Sequence, residues 1–410
     1  MSIQLLHGAR LFDGHRFHEQ SGLLIENGKI IRLVEAGNDQ GQSWPENTQI
    51  IDLQGGILAP GFIDAQVNGG GGVMLNDGPS AELMFTIAAG HRPYGTTSLL
   101  PTLITDTGAV TANAMAVAAD AVAADKGVAG LHLEGPHLAP TKKGAHLAEL
   151  MRPVAADDIK AMIATAEKIG TQKTGTEKTG CLVVTIAAEQ ITPDQVRELA
   201  EGGVIVSIGH SDCSYEEAMQ RFDAGARGVT HLFNAMSQFG HRAPNLVGAA
   251  LDHPAVWGGI IADGHHVEPA ALRVALRAKR GEGRLFFVTD AMSLVGSGRD
   301  TFQLNGRTIQ RIEGGYCPKL VLEDGKTLAG SDLDMASAIR YGMAKLDLST
   351  EEALRMATSY PAAFLKLTDR GVLAPNKRAD LVWLDDQCHV KATWIAGQGQ
   401  NFDQNQDQAL

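Results

Sequence analysis

No stretch of this chain approaches the roughly 18 uninterrupted apolar residues that a membrane-spanning helix needs, so no span is expected. The N-terminus, MSIQLLHGARLFDG, has neither a basic segment nor an apolar core, which argues against a secretory signal and makes the cytoplasm the default location. Cysteine is scarce. Cys181, Cys213, Cys317 and Cys388 are scattered with no CxxC pair, so neither a disulfide framework nor a zinc knuckle is expected. The formal net charge is −12 with no basic stripe, which removes nucleic acid from the expected partners. A small anionic substrate stays open, because it needs only a local cationic pocket. Aromatic residues make up 5%. A GxGxxG fingerprint is also missing: Asn68-Gly69-Gly70-Gly71-Gly72-Val73 is glycine-rich but different in pattern, which weakens an open dinucleotide-binding sheet as a reading.

What is present is a chain of 410 residues, 44% hydrophobic with 47 Gly, long enough for one large domain and a smaller one. Abundant Ala, Gly and Val suit a buried parallel sheet covered by helices. Residues 3–56 alternate strand-like pieces with turns, including Asn27-Gly28, a hairpin signal. The end of the chain behaves alike, with ADLVWLD (379–385) and VKATWIAG (390–397). The texture between them differs. Eight apolar runs are separated mostly by Ala-rich helical patterns: 61–68, 96–104, 128–135, 181–189, 204–211, 228–236, 256–264 and 284–292. Eight βα steps predict a (β/α)8 TIM-type barrel over 58–367, with a small β-sandwich domain assembled from 1–57 and 368–410. The polar near-repeat KIGTQKTGTEKTG (168–180) has no apolar face and reads as a surface loop.

Four of those runs end on a residue that does not belong in an apolar strand. LHLEGPH closes on Glu134, VIVSIGH on His210, GVTH on His231 and RLFFVTD on Asp290. A buried carboxylate is costly without something positive beside it. Taken singly, each has an ordinary explanation: a core histidine, a salt-bridged Glu, an Asp capping the next helix. Four at the same end of four strands point instead to one site at the carboxyl face of the barrel. Two imidazoles and a carboxylate suit Zn2+ or Fe2+ with one position open to water. A carboxylate opposite, Asp290, could then move protons.

With those residues in hand, the chain resembles the amidohydrolase superfamily and, within it, the N-acetylglucosamine-6-phosphate deacetylases. The superfamily likeness rests on APGFID (59–64) and on GVLAPNKRADLVWLD (371–385). The narrower one rests on LHLEGPH with KKGAH (131–146), GHSD (209–212), THLFNAM (230–236), ADGHHV (262–267) and VTDAM (288–292). The resemblance implies hydrolysis of the acetamide of N-acetyl-D-glucosamine 6-phosphate to D-glucosamine 6-phosphate and acetate. It implies metal ligation by Glu134, His210 and His231, with Asp290 as base and then acid and His146 polarising the carbonyl. Asn234, Ala235, Arg242 and His266 would hold the sugar phosphate; the doubled His265-His266 leaves a one-residue ambiguity, and a lone surface Arg242 would not stand out otherwise. A homodimer follows by resemblance only. Most superfamily members end the first strand with His-x-His, whereas here Gln66 and Asn68 occupy those positions. Amides bind zinc poorly, so one metal per chain is expected, zinc before iron. The rival readings are other amidohydrolases, a deacetylase for the galactosamine epimer, and a metal-free barrel serving as a binding scaffold.

Overall fold

The structure, a computed structural model, describes residues 2–34, 44–45, 47–170, 180–325 and 328–402. Most of the polar near-repeat, residues 171–179, lies outside the described residues.

Eight parallel strands form the central sheet: β1 (Phe62–Val67), β2 (Thr96–Ile104), β3 (Gly130–Glu134), β4 (Cys181–Ile186), β5 (Ile205–Ile208), β6 (Gly228–Val229), β7 (Trp257–Ile260) and β8 (Leu285–Phe287). Each pairs with its neighbour in sequence order. Beyond β8 the sheet returns to β1 through a parallel bridge between Val67 and Ala291. There the Asp290 N–H donates to the Gln66 carbonyl at 3.0 Å, and the Asn68 N–H to the Ala291 carbonyl at 2.9 Å. The closure makes a TIM barrel, and its last hydrogen bonds fall on residues of the candidate site. All eight runs read as strands contribute one.

Helices α1 (Ala81–His91), α2 (Gly108–Ala123), α3 (Ala156–Gly170), α4 (Pro193–Glu201), α5 (Tyr215–Asp223), α6 (Asn245–Asp252) and α7 (Pro269–Ala278) connect the strands, and α8 (Met335–Lys345) follows β8. Local sequence sets their starts. Ser80, Thr107, Thr192, Ser214 and Asp334 each accept a hydrogen bond from a backbone N–H of the first turn, satisfying donors that the helix itself leaves free. Thr192 and Ser214 do so reciprocally with Gln195 and Glu217.

The inside of the barrel is not purely apolar. His132 bonds the Ala65 carbonyl at 3.0 Å and Thr185 Oγ1 at 2.7 Å. Thr185 meets Thr230 at 2.6 Å, and Thr230 meets Ser207 at 2.8 Å. These buried groups satisfy one another, as a low-dielectric interior requires. They form a polar floor under the carboxyl ends of β3 to β6.

Strands from both ends of the chain share a second eight-stranded sheet. The long first strand, Ile3–Phe12, pairs along one edge with Phe17–Glu26. Its other edge is divided between Thr48–Asp52 and Ile57–Pro60. Ile57–Pro60 in turn pairs with Leu381–Leu384. Leu6, Leu11, Leu23, Trp383 and Trp394 lie in an apolar core separate from that of the barrel.

A third sheet emerges where the sequence suggested only barrel. Thr301–Leu304, Arg307–Ile312, Lys319–Leu322 and Leu328–Ser331 form a four-stranded antiparallel sheet between β8 and α8. Its Leu304, Ile309, Leu320 and Ala329 pack on Met74, Ile104, Met292 and Leu294 at the carboxyl end of the barrel. It therefore sits over the barrel mouth.

Candidate metal centre and active site

Glu134 is the last residue of β3, and the chain must turn at once. Gly135 does so at φ +93°, where a Cβ would overlap Thr105 Oγ1. The run Leu131–Gly135 thus delivers a carboxylate to the barrel mouth and leaves no room for a longer strand.

His210, His231 and Asp290 lie just past β5, β6 and β8, and all three have positive φ, at 47°, 33° and 51°. That conformation costs a non-glycine residue on the order of 1–3 kcal/mol. Three instances at three equivalent strand ends show the backbone bent to aim side chains at a common point.

For the two histidines that point is Glu134 Oε1, and Asp290 stands across Gln66 from it. His231 Nε2 lies 3.0 Å from it, His210 Nε2 lies 3.2 Å from it, and the two Nε2 atoms are 3.1 Å apart. Among the described residues this is the one group of three or more His, Cys, Asp or Glu side chains whose ligand atoms could share an ion, all within 4.8 Å of one another. Each is buried. His210 Nδ1 is 2.7 Å from the Lys142 carbonyl. A carbonyl only accepts, so Nδ1 donates to it and Nε2 is the nitrogen turned to the cluster. Without a cation, two buried imidazoles would crowd one carboxylate through the same nitrogen. Burial opposes the charge of Glu134, yet its bonds to His210 and His231 hold it well below the usual carboxylate range. Those donors fit a divalent transition metal.

Gln66 and Asn68, the amides that stand where a His-x-His pair might, are employed otherwise. Gln66 Nε2 donates to Glu134 Oε1 at 3.2 Å and to Asp290 Oδ1 at 3.0 Å. Asn68 Nδ2 donates to Asp290 Oδ1 at 2.7 Å. The two amides fix the Asp290 carboxylate, and Gln66 stands between it and Glu134. Burial, then the Glu134 charge, push the Asp290 carboxyl above its ordinary range. The charge of His231 and then the Asn68 donor work against that, but the group keeps a raised affinity for a proton.

His146, on the segment after β3, lies edge-on to His210 with ring centroids 4.6 Å apart. Its Nδ1 accepts the Thr105 backbone N–H at 3.2 Å and meets Thr105 Oγ1 at 2.9 Å. The neutral ring therefore carries its proton on Nε2. Burial and then His210 push it down to about 3, so it stays uncharged at neutral pH. Thr105 was not singled out in the sequence; a threonine just beyond β2 gives no local sign that it orients a histidine 41 residues away.

A cavity of about 350 Å3 opens above these groups, lined by Glu134, His146, His210, His231, Asn234, Ala235, His266 and Asp290. The inserted sheet adds Arg307 and Leu328–Gly330 to its wall. The two rings of the doubled histidine part ways. His266 faces the cavity with Nδ1 held by Asp263 Oδ2 at 2.6 Å, whereas His265 Nε2 turns to the Cys317 carbonyl at 2.9 Å. Although burial opposes it, the Asp263 partner raises the proton affinity of His266. Asn234 Nδ2 donates to the His231 carbonyl at 3.2 Å, and Ala235 follows at φ +47°. Arg242 is not brought to this cavity; it is exposed on the turn that Gly240 and Ala243 close. Cys213 is buried, and burial pushes its thiol up to about 11, the state of an inert core residue. No helix among the described residues is long and apolar enough to cross a membrane.

Comparison with known proteins agrees with this geometry. Over 394 residues, 95% of this chain and 94% of the relative, the chain is 38% identical to the N-acetylgalactosamine-6-phosphate deacetylase of Shewanella sp. (strain ANA-3). It is 36% identical over 395 residues to the human N-acetylglucosamine-6-phosphate deacetylase, covering 92% of this chain and 93% of that one. Among solved structures, the crystal structure of N-acetylglucosamine-6-phosphate deacetylase from Pasteurella multocida matches with a TM-score of 0.87 at 32% identity, over 97% of this chain and 100% of that one. The sequence profile of the amidohydrolase family matches residues 57–400, a span that takes in every barrel strand and all four of the strand-end residues, and on it the chain belongs to the amidohydrolase family.

Proposed function

We propose that this protein is a metal-dependent hydrolase that removes the acetyl group from N-acetyl-D-glucosamine 6-phosphate, giving D-glucosamine 6-phosphate and acetate. The observation that carries the proposal is the meeting of Glu134, His210 and His231 on one point, with Asp290 held across Gln66. It occurs in a chain whose near full-length relatives are deacetylases of hexosamine 6-phosphates.

One divalent transition metal per chain, zinc before iron, would be held by Glu134, His210 and His231 and would supply Lewis acidity to the attacking water and the acetyl carbonyl. The chain's own residues do the rest. An amide nitrogen does not leave as an anion, so it must be protonated. Asp290 takes the water proton and passes it to that nitrogen, acting as base and then acid. Its raised proton affinity suits a group that must hold a proton between the two steps. His146, neutral with its proton on Nε2, donates to the acetyl oxygen as negative charge builds there. His266, supported by Asp263, and Asn234 with the Ala235 N–H form a cradle for the phosphate.

Arg242 belongs to this reading only if it reaches the cavity of a second copy, so the proposal includes a homodimer, working in the cytoplasm. Beside it, Phe239 is 62% exposed, an apolar surface that a dimer would cover. One observation favours a second substrate: the Shewanella relative is named for the galactosamine epimer. The test is an acetate-release assay on both 6-phosphates, with metal measured on the same preparation. Release from the gluco substrate with close to one metal per chain is expected. Preference for the galacto substrate would move the assignment to the epimer, and no release from either by metal-loaded protein would overturn it.

A further inference from the structure

The cavity is lined by two carboxylates and several imidazoles, but among its lining residues only Arg307 carries a permanent positive charge. Arg307 comes from the inserted sheet. It is the first residue after the Asn305-Gly306 turn, where Leu304 pairs with Arg307. Asn305 stands at φ +52° and Gly306 at φ +72°, the conformation of a tight two-residue hairpin, so the turn fixes where the Arg307 side chain starts. The hairpin is docked as well. Asn305 Nδ2 donates to the Ala145 carbonyl at 3.2 Å, and Arg307 Nη2 approaches the same oxygen at 3.5 Å. Ala145 immediately precedes His146, so the hairpin tip rests on the loop that presents the proposed carbonyl-polarising group.

The guanidinium is underused. It makes one long contact to a neutral carbonyl, and among the described residues no carboxylate forms an ion pair with it. The other arginine of this strand, Arg311, is bound by Asp332 at 2.7 Å. Arg299, at the start of the insertion, donates to the Gly72 carbonyl away from the cavity. An unpaired guanidinium on a cavity wall, with most of its N–H donors free, is a ready partner for an anion. The chain around it carries a net charge of −12, so a phosphorylated sugar gains little attraction from the protein as a whole.

We infer that Arg307 binds the phosphate of the substrate from within the same subunit, and that the inserted hairpin is the cavity's phosphate-selecting cover. The inference rests on the proposed deacetylase reading and names a specificity-determining residue for it. It differs from the Arg242 assignment in needing no second chain.

The test compares wild type with Arg307→Ala, Arg307→Lys and Arg299→Ala, all as metal-loaded protein. The quantity read is the ratio of kcat/KM for N-acetylglucosamine 6-phosphate to that for N-acetylglucosamine. Loss of a charge-assisted phosphate contact should lower this ratio by about ten- to a hundredfold in Arg307→Ala, through KM. Arg307→Lys should recover part of it, because it keeps the charge and loses the fork. Arg299→Ala should leave the ratio where it is. A purely structural role for the hairpin would depress both substrates alike and leave the ratio unchanged, and that result would overturn the inference while the deacetylase assignment stands. A second arm measures binding of glucosamine 6-phosphate by calorimetry, which needs no turnover. Weaker binding by Arg307→Ala supports the inference even if wild type releases no acetate; equal binding, or none by wild type, rejects it.

Discussion

Asp64 offers the most quantitative check on the site's supporting structure. It lies inside the barrel on β1, fully buried. It receives the backbone N–H groups of Gln66 at 3.2 Å and Thr289 at 3.3 Å, and the Thr289 hydroxyl at 2.5 Å. It therefore clamps the seam where β8 returns to β1, directly before Asp290. Burial outweighs these three bonds and raises its carboxyl from 3.8 to about 7. The unfolded chain gives up this proton near the ordinary value, whereas the folded chain keeps it to about pH 7. Folding therefore binds a proton within that window. The stability Asp64 contributes is fully present below pH 3.8 and is lost as pH rises towards 7. At 1.36 kcal/mol per pH unit, the interval corresponds to about 4 kcal/mol. In Asp64→Asn the titration is gone, while the amide oxygen can still accept from the Thr289 hydroxyl or the neighbouring backbone N–H groups. With an unfolding entropy of about 2.1 cal/mol/K per residue over 410 residues, 4 kcal/mol is about 5 °C in Tm. Thermal unfolding of both proteins between about pH 4.5 and 8, which takes in most of that interval, should show the variant gaining about 4 °C on wild type towards the alkaline end. Other titrating groups are shared and cancel in the difference. A difference constant to within about 1 °C would mean that Asp64 is ionised throughout, and the argument from burial would fail.

The other expectations concern the reaction. Asp290→Asn should bind metal as wild type does and lose turnover by about 10²- to 10⁴-fold; steady-state kinetics with metal analysis decides it, and retained kcat would remove Asp290 from the proton transfers. Glu134→Gln should lose metal, because a neutral amide replaces the anionic ligand, and the purified protein should hold well under half the wild-type content by elemental analysis. Arg242→Ala should weaken binding of the phosphorylated sugar if the arginine crosses to a second copy. Mixing it with a chain inactivated by Asp290→Asn should then restore up to half the wild-type sites, and absence of such complementation would confine phosphate binding to one chain.

What could be read from the sequence, and what could not, divides along a physical line. A parallel barrel puts every strand end on one face. A charged or imidazole residue closing an apolar run is thus both conspicuous and already located, and Glu134, His210, His231 and Asp290 were legible for that reason. The eight strands were legible because each is buried along its whole length. Partnerships between distant side chains were not. That Gln66 and Asn68 would act as donors to Asp290, rather than merely failing as ligands, depends on the β8–β1 closure, which no local pattern encodes. That His266 rather than His265 lines the cavity depends on Asp263 capturing one ring and Cys317 the other. The inserted sheet did carry a local mark, Asn305-Gly306 between short alternating runs, but a hairpin signal says nothing about where the hairpin docks. Its place over the mouth is decided by Leu304, Ile309 and Leu320 finding Met74 and Met292, contacts made across the fold. The barrel therefore supplies the reactive groups through residues that look out of place in their own strands. The further phosphate contact inferred for Arg307 comes instead from a cover whose residues look ordinary until the cavity beneath them is in view.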